Sequence, residues 1–87
     1  MAINGIKIDQ YKMIETKYIG PSNTRGSRIK AFDANGNSLT IGYPHELSGV
    51  ECHYLAARAL ADKMNWQGEI KGGWTKNGCA FVLDYSL

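Results

Sequence analysis

The chain has 87 residues, of which 44% are hydrophobic and 21% are charged, and its formal net charge at pH 7 is +2. This length predicts a single domain with one hydrophobic core, and the composition is that of a folded protein and not of a disordered one. The net charge is too small to indicate a nucleic-acid partner by itself, so that argument depends on where the charges lie. No apolar run reaches the roughly 18 residues of a membrane helix, and the first residues do not have the pattern of a signal peptide. We therefore expect a cytoplasmic protein without a membrane partner.

The first ten residues allow two interpretations. Their isoleucines favour a short strand with Asn4-Gly5 as a turn, but the same segment can equally be an N-terminal arm. Residues 11–87 are expected to form a single α+β domain. In that domain, the alternation along residues 12–19 predicts a strand, with Ile14, Thr16 and Tyr18 on one face and the charged Glu15 and Lys17 on the other. The strand ends before Pro21, because proline has no backbone N–H for a sheet.

The segment RIKAFDANGNSLTIGY, residues 28–43, predicts a β-hairpin with two candidate registers. A two-residue Asn35-Gly36 turn would mix charged and apolar side chains on one face. A three-residue loop, 34–36, keeps the apolar side chains together and puts Gly36 where a left-handed backbone is needed. We favour this second register. The face opposite the apolar side chains then carries Arg28, Lys30, Phe32, Ser38 and Thr40.

A helix is predicted from about residue 49 to about residue 65. Ser48 and Glu51 have the spacing of a capping box, in which each side chain binds a backbone N–H at the start of the helix. Apolar residues then recur at three- and four-residue spacing and predict a stripe that packs on a sheet. The predicted stripe consists of Val50, Tyr54, Ala57, Ala61 and Met64, and Leu60 flanks it.

A second hairpin is predicted in EIKGGWTKNGCAFVLDYS, residues 69–86. A two-residue type I′ turn at Asn77-Gly78 would place Lys71 opposite Asp84, an attractive cross-strand pair. It would also align Ile70, Gly72 and Trp74 with Phe81, Leu83 and Tyr85. Both faces of the last strand are apolar, so we expect a central position for it in the sheet. The elements together predict an α+β fold in the order β-β-β-α-β-β, an antiparallel sheet of about five strands with one helix packed on one face.

One helix covers one face of such a sheet, so the other face is either solvated, paired with another copy or used for binding. The predicted free face carries cations and a phenylalanine beside the loop PSNTRGS, residues 21–27. Proteins that bind single-stranded nucleic acid hold phosphates with Lys and Arg and stack bases on aromatic rings in this way. The predicted binding residues are Lys17, Thr24, Arg25, Ser27, Arg28, Lys30 and Phe32, with Lys12 as a further contributor. The alternative interpretation is a solvated face whose cations discourage aggregation at a sheet edge.

Trp74 also has two interpretations. It follows Gly72-Gly73, and an aromatic ring beside glycines can stack on a base. However, Phe81 and Leu83 share its predicted face, so we expect Trp74 in the hydrophobic core.

No metal, cofactor or catalytic site is predicted. His45, Cys52 and His53 match no zinc-binding spacing and lack a fourth ligand. Cys52 and Cys79 are expected to be buried thiols in a reducing compartment. The carboxylates are scattered, and no Walker loop, G-x-S-x-G or H-E-x-x-H motif occurs. We therefore expect a binding protein and not an enzyme.

The stretch IGPSNTRGSRIKA, residues 19–31, and the hairpin GGWTKNGCAFVL, residues 72–83, carry a resemblance to known proteins. They resemble a group of short, functionally unassigned phage and mobile-element proteins that share an N-T-R-G-S-R-[IV]-K-A core. The resemblance covers most of the chain from residue 12 onward and implies the host cytoplasm as a setting, without an activity. Because small phage proteins often bind a host protein, a second hypothesis is that Arg25 and Arg28 contact an acidic protein surface. A homodimer formed through the free sheet face is a third.

Overall fold

The computed structural model describes residues 2–3, 6–7 and 11–84, the first two segments by their backbone pairing alone. Strands β1 (Ala2–Ile3) and β2 (Ile6–Lys7) form a small antiparallel pair, which agrees with the short-strand interpretation of this segment. The turn predicted at Asn4-Gly5 lies outside the described residues.

Residues 11–84 form one five-stranded antiparallel sheet and one helix. Along the sheet the strand order is β5-β4-β3-β7-β6. This architecture confirms the predicted α+β fold, and β7 is an internal strand, as its two apolar faces predict. The elements are β3 (Lys12–Ile19), β4 (Arg28–Phe32), β5 (Ser38–Gly42), α1 (Val50–Lys63), β6 (Glu69–Trp74) and β7 (Cys79–Asp84).

Helix α1 connects the two edge strands of the sheet, β5 and β6, and therefore has to cross one whole face. It contacts all five strands on that face, and its alanines let the backbone of the helix approach the backbone of the sheet closely. The core forms between them from inward-facing side chains of the helix and sheet. Its members are Ile14, Ile29, Ala31, Cys52, Ala56, Ala57, Leu60, Ala61, Cys79, Phe81 and Leu83.

The ends of α1 are set by backbone conformation. The predicted capping box is wrong, because Gly49 is the N-cap and no side chain caps the first turn. Gly49 has φ 58° and ψ −130°, a conformation that suits glycine, so it fixes the start of the helix in place of Ser48. At the other end, Asn65 has a left-handed φ of 59°, and the N–H of Trp66 donates to the Ala61 carbonyl at 2.8 Å. This is a Schellman turn, which satisfies carbonyls that the helix end leaves free.

The buried stripe of α1 is rotated relative to the predicted one. Tyr54 is 41% exposed, whereas Cys52, His53 and Ala56 are buried. The physical reason is steric: a tyrosine directed at the sheet would hold the helix away, whereas small side chains allow close packing. The ring of Tyr54 instead lies at the rim, in edge contact with Phe81 at 6.3 Å between centroids.

The β4–β5 hairpin has the register that we favoured. Ile29 pairs with Ile41, Ala31 pairs with Leu39, and Gly36 has a positive φ of 89° in the three-residue loop. This pairing puts the apolar side chains against α1 and the charged ones on the opposite face.

Asp33 holds this loop and connects it to β3. Its carboxylate accepts hydrogen bonds from the N–H groups of Asn35 and Asn37, each at 2.9 Å, and pairs with Lys12 Nζ at 2.6 Å. The ammonium of Lys12, followed by the Asn37 side chain, holds the pKa of Asp33 well below its usual value. Lys12 therefore lies on the helix side, with Nζ 4.3 Å from the centre of the Trp66 ring. The expectation that Lys12 contributes to the free sheet face is wrong.

The register predicted for the β6–β7 hairpin is wrong by two residues. Gly72 pairs with Phe81, and the predicted type I′ turn is not formed, since neither Asn77 nor Gly78 has the positive φ that this turn requires. The pairing brings the two backbones so close that a Cβ on Gly72 would lie 2.7 Å from Phe81 Cα. A shift of two residues keeps every side chain on its predicted face.

The predicted attraction between Lys71 and Asp84 survives this shift. The two residues are diagonal neighbours, because Asp84 pairs directly with Glu69. Lys71 Nζ donates to Asp84 Oδ2 at 3.1 Å, and this carboxylate raises the pKa of Lys71. Tyr85, which the predicted register also aligned, lies outside the described residues.

Candidate nucleic-acid interface

We call the sheet surface that faces away from α1 the open face. Its residues alternate along each strand with those of the core. The register places Lys17 of β3 directly opposite Lys30 of β4, which is in turn opposite Thr40 of β5. On these three strands the open face carries Met13, Glu15, Lys17, Ile19, Arg28, Lys30, Phe32, Ser38 and Thr40.

Lys17, Lys30 and Phe32, which we call the lysine–phenylalanine cluster, lie at the centre of this surface. The Nζ atoms of the two lysines are 5.8 and 6.0 Å from the centroid of the Phe32 ring, within the range of cation–π contacts. The cluster lines a groove of about 220 Å³ together with Asp33, Gly36, Asn37 and Ser38, and the Asp33 carboxylate is already paired with Lys12. Within residues 11–84, neither lysine forms an ion pair. Like charges directly opposite each other on neighbouring strands repel, so an anion held between them would relieve this repulsion.

Arg28 extends the positive charge along β4 to the end of the sheet, where it pairs with Ile19 on one side and Gly42 on the other. Its side chain is half-buried, and its Nε is buried with no hydrogen-bond partner among the described residues. No carboxylate of residues 11–84 forms an ion pair with it. Its guanidinium therefore remains able to bind an external anion.

The loop before β4 is braced by its own backbone. The N–H of Ser22 donates to the Arg25 carbonyl at 2.7 Å, and the N–H of Arg25 donates to Ser22 Oγ at 3.2 Å. The side chains of Thr24 and Arg25 are exposed, and Arg25 has no ion pair within the described part of the chain.

Ser27 differs from the other predicted binding residues. Its Oγ lies 2.7 Å from the Tyr18 hydroxyl, on the helix side of the sheet. Four of the seven predicted residues therefore share the open face, two lie on the adjoining loop, and one faces away. Those on the open face are Lys17, Arg28, Lys30 and Phe32, those on the loop are Thr24 and Arg25, and the one that faces away is Ser27.

A second concave surface, which the sequence analysis did not predict, lies on the helix side near the start of α1. We call this cavity the aromatic pocket. Its volume is about 390 Å³. It is lined by Tyr18, Ser27, Tyr43, His45, Gly49, His53 and Trp74.

Trp74 shows why this pocket was missed. The ring is 62% exposed, so the expectation of a core tryptophan is wrong. Trp74 ends an edge strand, and Gly49 beside it has no side chain that would cover the ring: a Cβ built there would lie 3.8 Å from Trp74 Cζ2. Tyr18 and Tyr43 also lie at strand ends, with their rings 5.8 Å apart and nearly perpendicular. Aromatic residues at several strand ends on one face were the available signal.

His53 is the buried polar residue of the aromatic pocket. It is 5% exposed, and its Nδ1 lies 2.7 Å from Thr16 Oγ1. Burial lowers the pKa of His53, because the charged imidazolium loses hydration. Its ring meets that of Trp74 edge-on, with centroids 5.3 Å apart.

The two cysteines are free and buried, as expected. Burial raises the pKa of Cys79, and Cys52 Sγ donates to the Pro44 carbonyl at 3.7 Å. Among the described residues there is no group of three or more His, Cys, Asp or Glu side chains placed to hold a metal ion. In the same part of the chain, no helix is long and apolar enough to cross a membrane.

Comparison of the chain with protein-family models, with curated proteins and with solved structures finds no match. Functional conclusions therefore depend on the geometry and chemistry of the open face and the aromatic pocket.

Proposed function

We propose that this protein is a small non-enzymatic module that binds single-stranded nucleic acid through its open face. The lysine–phenylalanine cluster is the centre of the contact surface, and Arg28 and the loop residue Arg25 extend it at one end. The observation that carries the proposal is the direct opposition of Lys17 and Lys30 without an ion-pair partner in residues 11–84. A phosphate bound between them replaces a repulsion by two charge-assisted contacts.

A single strand suits this surface better than a duplex. A base can stack on the Phe32 ring only when its own face is free, which requires that it leave the stack of a double helix. Arg28 and Lys30 are two residues apart on one strand, so their Cα atoms are about 6.6 Å apart and their side chains reach different phosphates. Because the net charge of the whole chain is only +2, we expect modest affinity that depends strongly on salt.

Fluorescence anisotropy with labelled single-stranded DNA and RNA, and with the corresponding duplexes, tests this proposal. We expect saturable binding at about 50 mM salt, weaker binding at higher salt, and a large loss of affinity in Arg25→Ala/Arg28→Ala. Arg58→Ala is the matched control, because Arg58 is exposed on α1, on the opposite side of the sheet from the open face. Absence of binding at low salt, or an equal loss in the control, rejects the proposal.

An apolar pair on the other half of the open face, of which Met13 is exposed and Val82 half-buried, favours a second candidate function, contact with a protein. Met13 of β3 is 49% exposed and pairs with Val82 of β7. Apolar side chains beside cations suit a protein interface, either with a host protein in the phage setting or with a second copy of the chain.

Two measurements separate these alternatives. A dimer detected by light scattering that dissociates in Met13→Glu identifies a homodimer. Specific capture of one host protein, lost in Arg25→Ala/Arg28→Ala and accompanied by no oligonucleotide binding, identifies a host-protein ligand.

A further inference from the structure

We infer that the aromatic pocket binds a neutral, planar heteroaromatic ring that carries an N–H group, such as a nucleobase. The pocket lies on the helix side of the sheet, whereas the phosphate contacts proposed above lie on the open face. The inference therefore concerns a second site and goes beyond the proposed function.

The shape of the pocket fits a flat ring. Its volume of about 390 Å³ lies in the range of small-molecule sites. The rings of Tyr18 and Tyr43 meet at 86° and form a corner, and Trp74 contributes a largely uncovered indole. A planar ligand gains most by stacking on such an indole, because stacking removes apolar area of both rings from water.

His53 supplies a hydrogen-bond acceptor for the ligand. Thr16 Oγ1 lies 2.7 Å from Nδ1 of His53 and donates to the Cys79 carbonyl at 3.4 Å. We assign the single Thr16 hydroxyl proton to the bond with the Cys79 carbonyl, so that Nδ1 carries the ring proton of the neutral imidazole and Nε2 keeps a lone pair. Within residues 11–84, Nε2 has no hydrogen-bond partner, and His53 lines the pocket. A ligand N–H can donate to this nitrogen.

The charges around the pocket select a neutral ligand. None of its lining residues is Asp, Glu, Lys or Arg, and burial disfavours the charged form of His53. An ion that entered would lose hydration without gaining a counter-charge. Aromatic walls can also hold a quaternary ammonium by cation–π contact, but that ligand would leave Nε2 of His53 without a donor.

Unphosphorylated nucleosides are the direct probes, because they present the bases without the phosphates that the open face is proposed to bind. Ligand-observed NMR with adenosine, guanosine, cytidine and uridine measures their affinities. At least one nucleoside binds saturably, and Trp74→Ala weakens that binding by about 5- to 150-fold, the range for loss of a base–aromatic stack. Because Trp74 is largely exposed, this variant keeps its core. Tyr54→Ala, which removes an exposed aromatic side chain outside the pocket, is the matched control and leaves binding unchanged.

The role of Thr16 gives a second test. Thr16→Val removes the hydroxyl that fixes the proton of His53 on Nδ1 and weakens nucleoside binding, whereas Thr16→Ser keeps the hydroxyl and restores it. Equal affinities in the two variants overturn the assignment of His53 as the acceptor.

Three outcomes overturn the inference as a whole: none of the four nucleosides binds, Trp74→Ala binds as the unmodified chain does, or tetramethylammonium binds more tightly than every nucleoside. The two sites are distinguishable, because Arg25→Ala/Arg28→Ala leaves nucleoside affinity unchanged.

Discussion

Replacing one lysine of the lysine–phenylalanine cluster should change the salt dependence of oligonucleotide binding by a calculable amount. The proposed interface has four cations, Lys17, Arg25, Arg28 and Lys30. Each phosphate contact on a single strand contributes about −0.7 to the slope of log K against log salt, so four contacts give about −2.8. Between about 50 and 200 mM salt the affinity then falls about 50-fold, and in Lys30→Gln, with three contacts, about 20-fold.

The same substitution should stabilise the free protein. Lys17 and Lys30 are directly opposite each other, and a like-charge pair in this position costs about 0.2–1 kcal/mol. At a charge separation of about 8 Å in water, the Coulomb energy of two unit charges is about 0.5 kcal/mol, which agrees with that range. Lys30→Gln should therefore raise the midpoint of thermal unfolding by about 1 to 6 °C at low salt. The gain should disappear at about 1 M salt, where the Debye length is about 3 Å.

Anisotropy titrations over a salt series measure the slopes, and thermal unfolding at low and high salt measures the stabilities. Arg58→Gln is the control: it removes a cation that pairs with Asp62 at 3.3 Å on α1, so it should neither change the slope nor stabilise the protein. An unchanged slope in Lys30→Gln, or an equal change in the control, refutes a phosphate contact at this residue. A stability difference between Lys30→Gln and the unmodified protein that is the same at low and at high salt refutes the repulsion between the two lysines.

Three further predictions concern the fold. Gly72→Ala should destabilise the protein by about 1–3 kcal/mol in urea unfolding, because its Cβ would lie 2.7 Å from Phe81 Cα. Gly73→Ala should stay within about 0.5 kcal/mol, since a Cβ there meets nothing within 4 Å, and equal effects would contradict the observed register. The pKa of Asp33 is lowered in the folded protein, so the unfolded chain binds more protons in acid. The free energy of unfolding should decrease as the pH falls below about 4. In Asp33→Asn the side chain does not titrate, so the part of this decrease that Asp33 causes should be absent. The two buried thiols should react with a thiol reagent only as fast as the protein opens, and rapid labelling of the native state would contradict their burial.

The assignment of residues to faces could be predicted from the sequence, because the period of two along a strand follows from local backbone geometry. That period places Lys30 and Phe32 on the open face and Ile29 in the core, as observed. It also places Lys12 with Ile14, so the error about Lys12 was avoidable.

Features that depend on tertiary packing were not predictable in this way. The Asn77-Gly78 signal is local, but the β6–β7 register follows from the close approach of two backbones at Gly72. The rotation of α1 and the exposure of Trp74 depend on how closely the helix packs on the sheet and where Gly49 starts it. The aromatic pocket joins residues from several strand ends, and only the folded sheet brings them together.

Mapping of backbone amide chemical shifts by ¹⁵N NMR, during titration with a single-stranded oligonucleotide at low salt, is the most direct test of nucleic-acid binding by the open face. The largest changes should occur at Lys17, Arg28, Lys30 and Phe32 and in the loop of residues 21–27, with little change around Arg58 and Asp62 on α1. Absence of any shift change, or changes concentrated on the exposed side of α1, would contradict it.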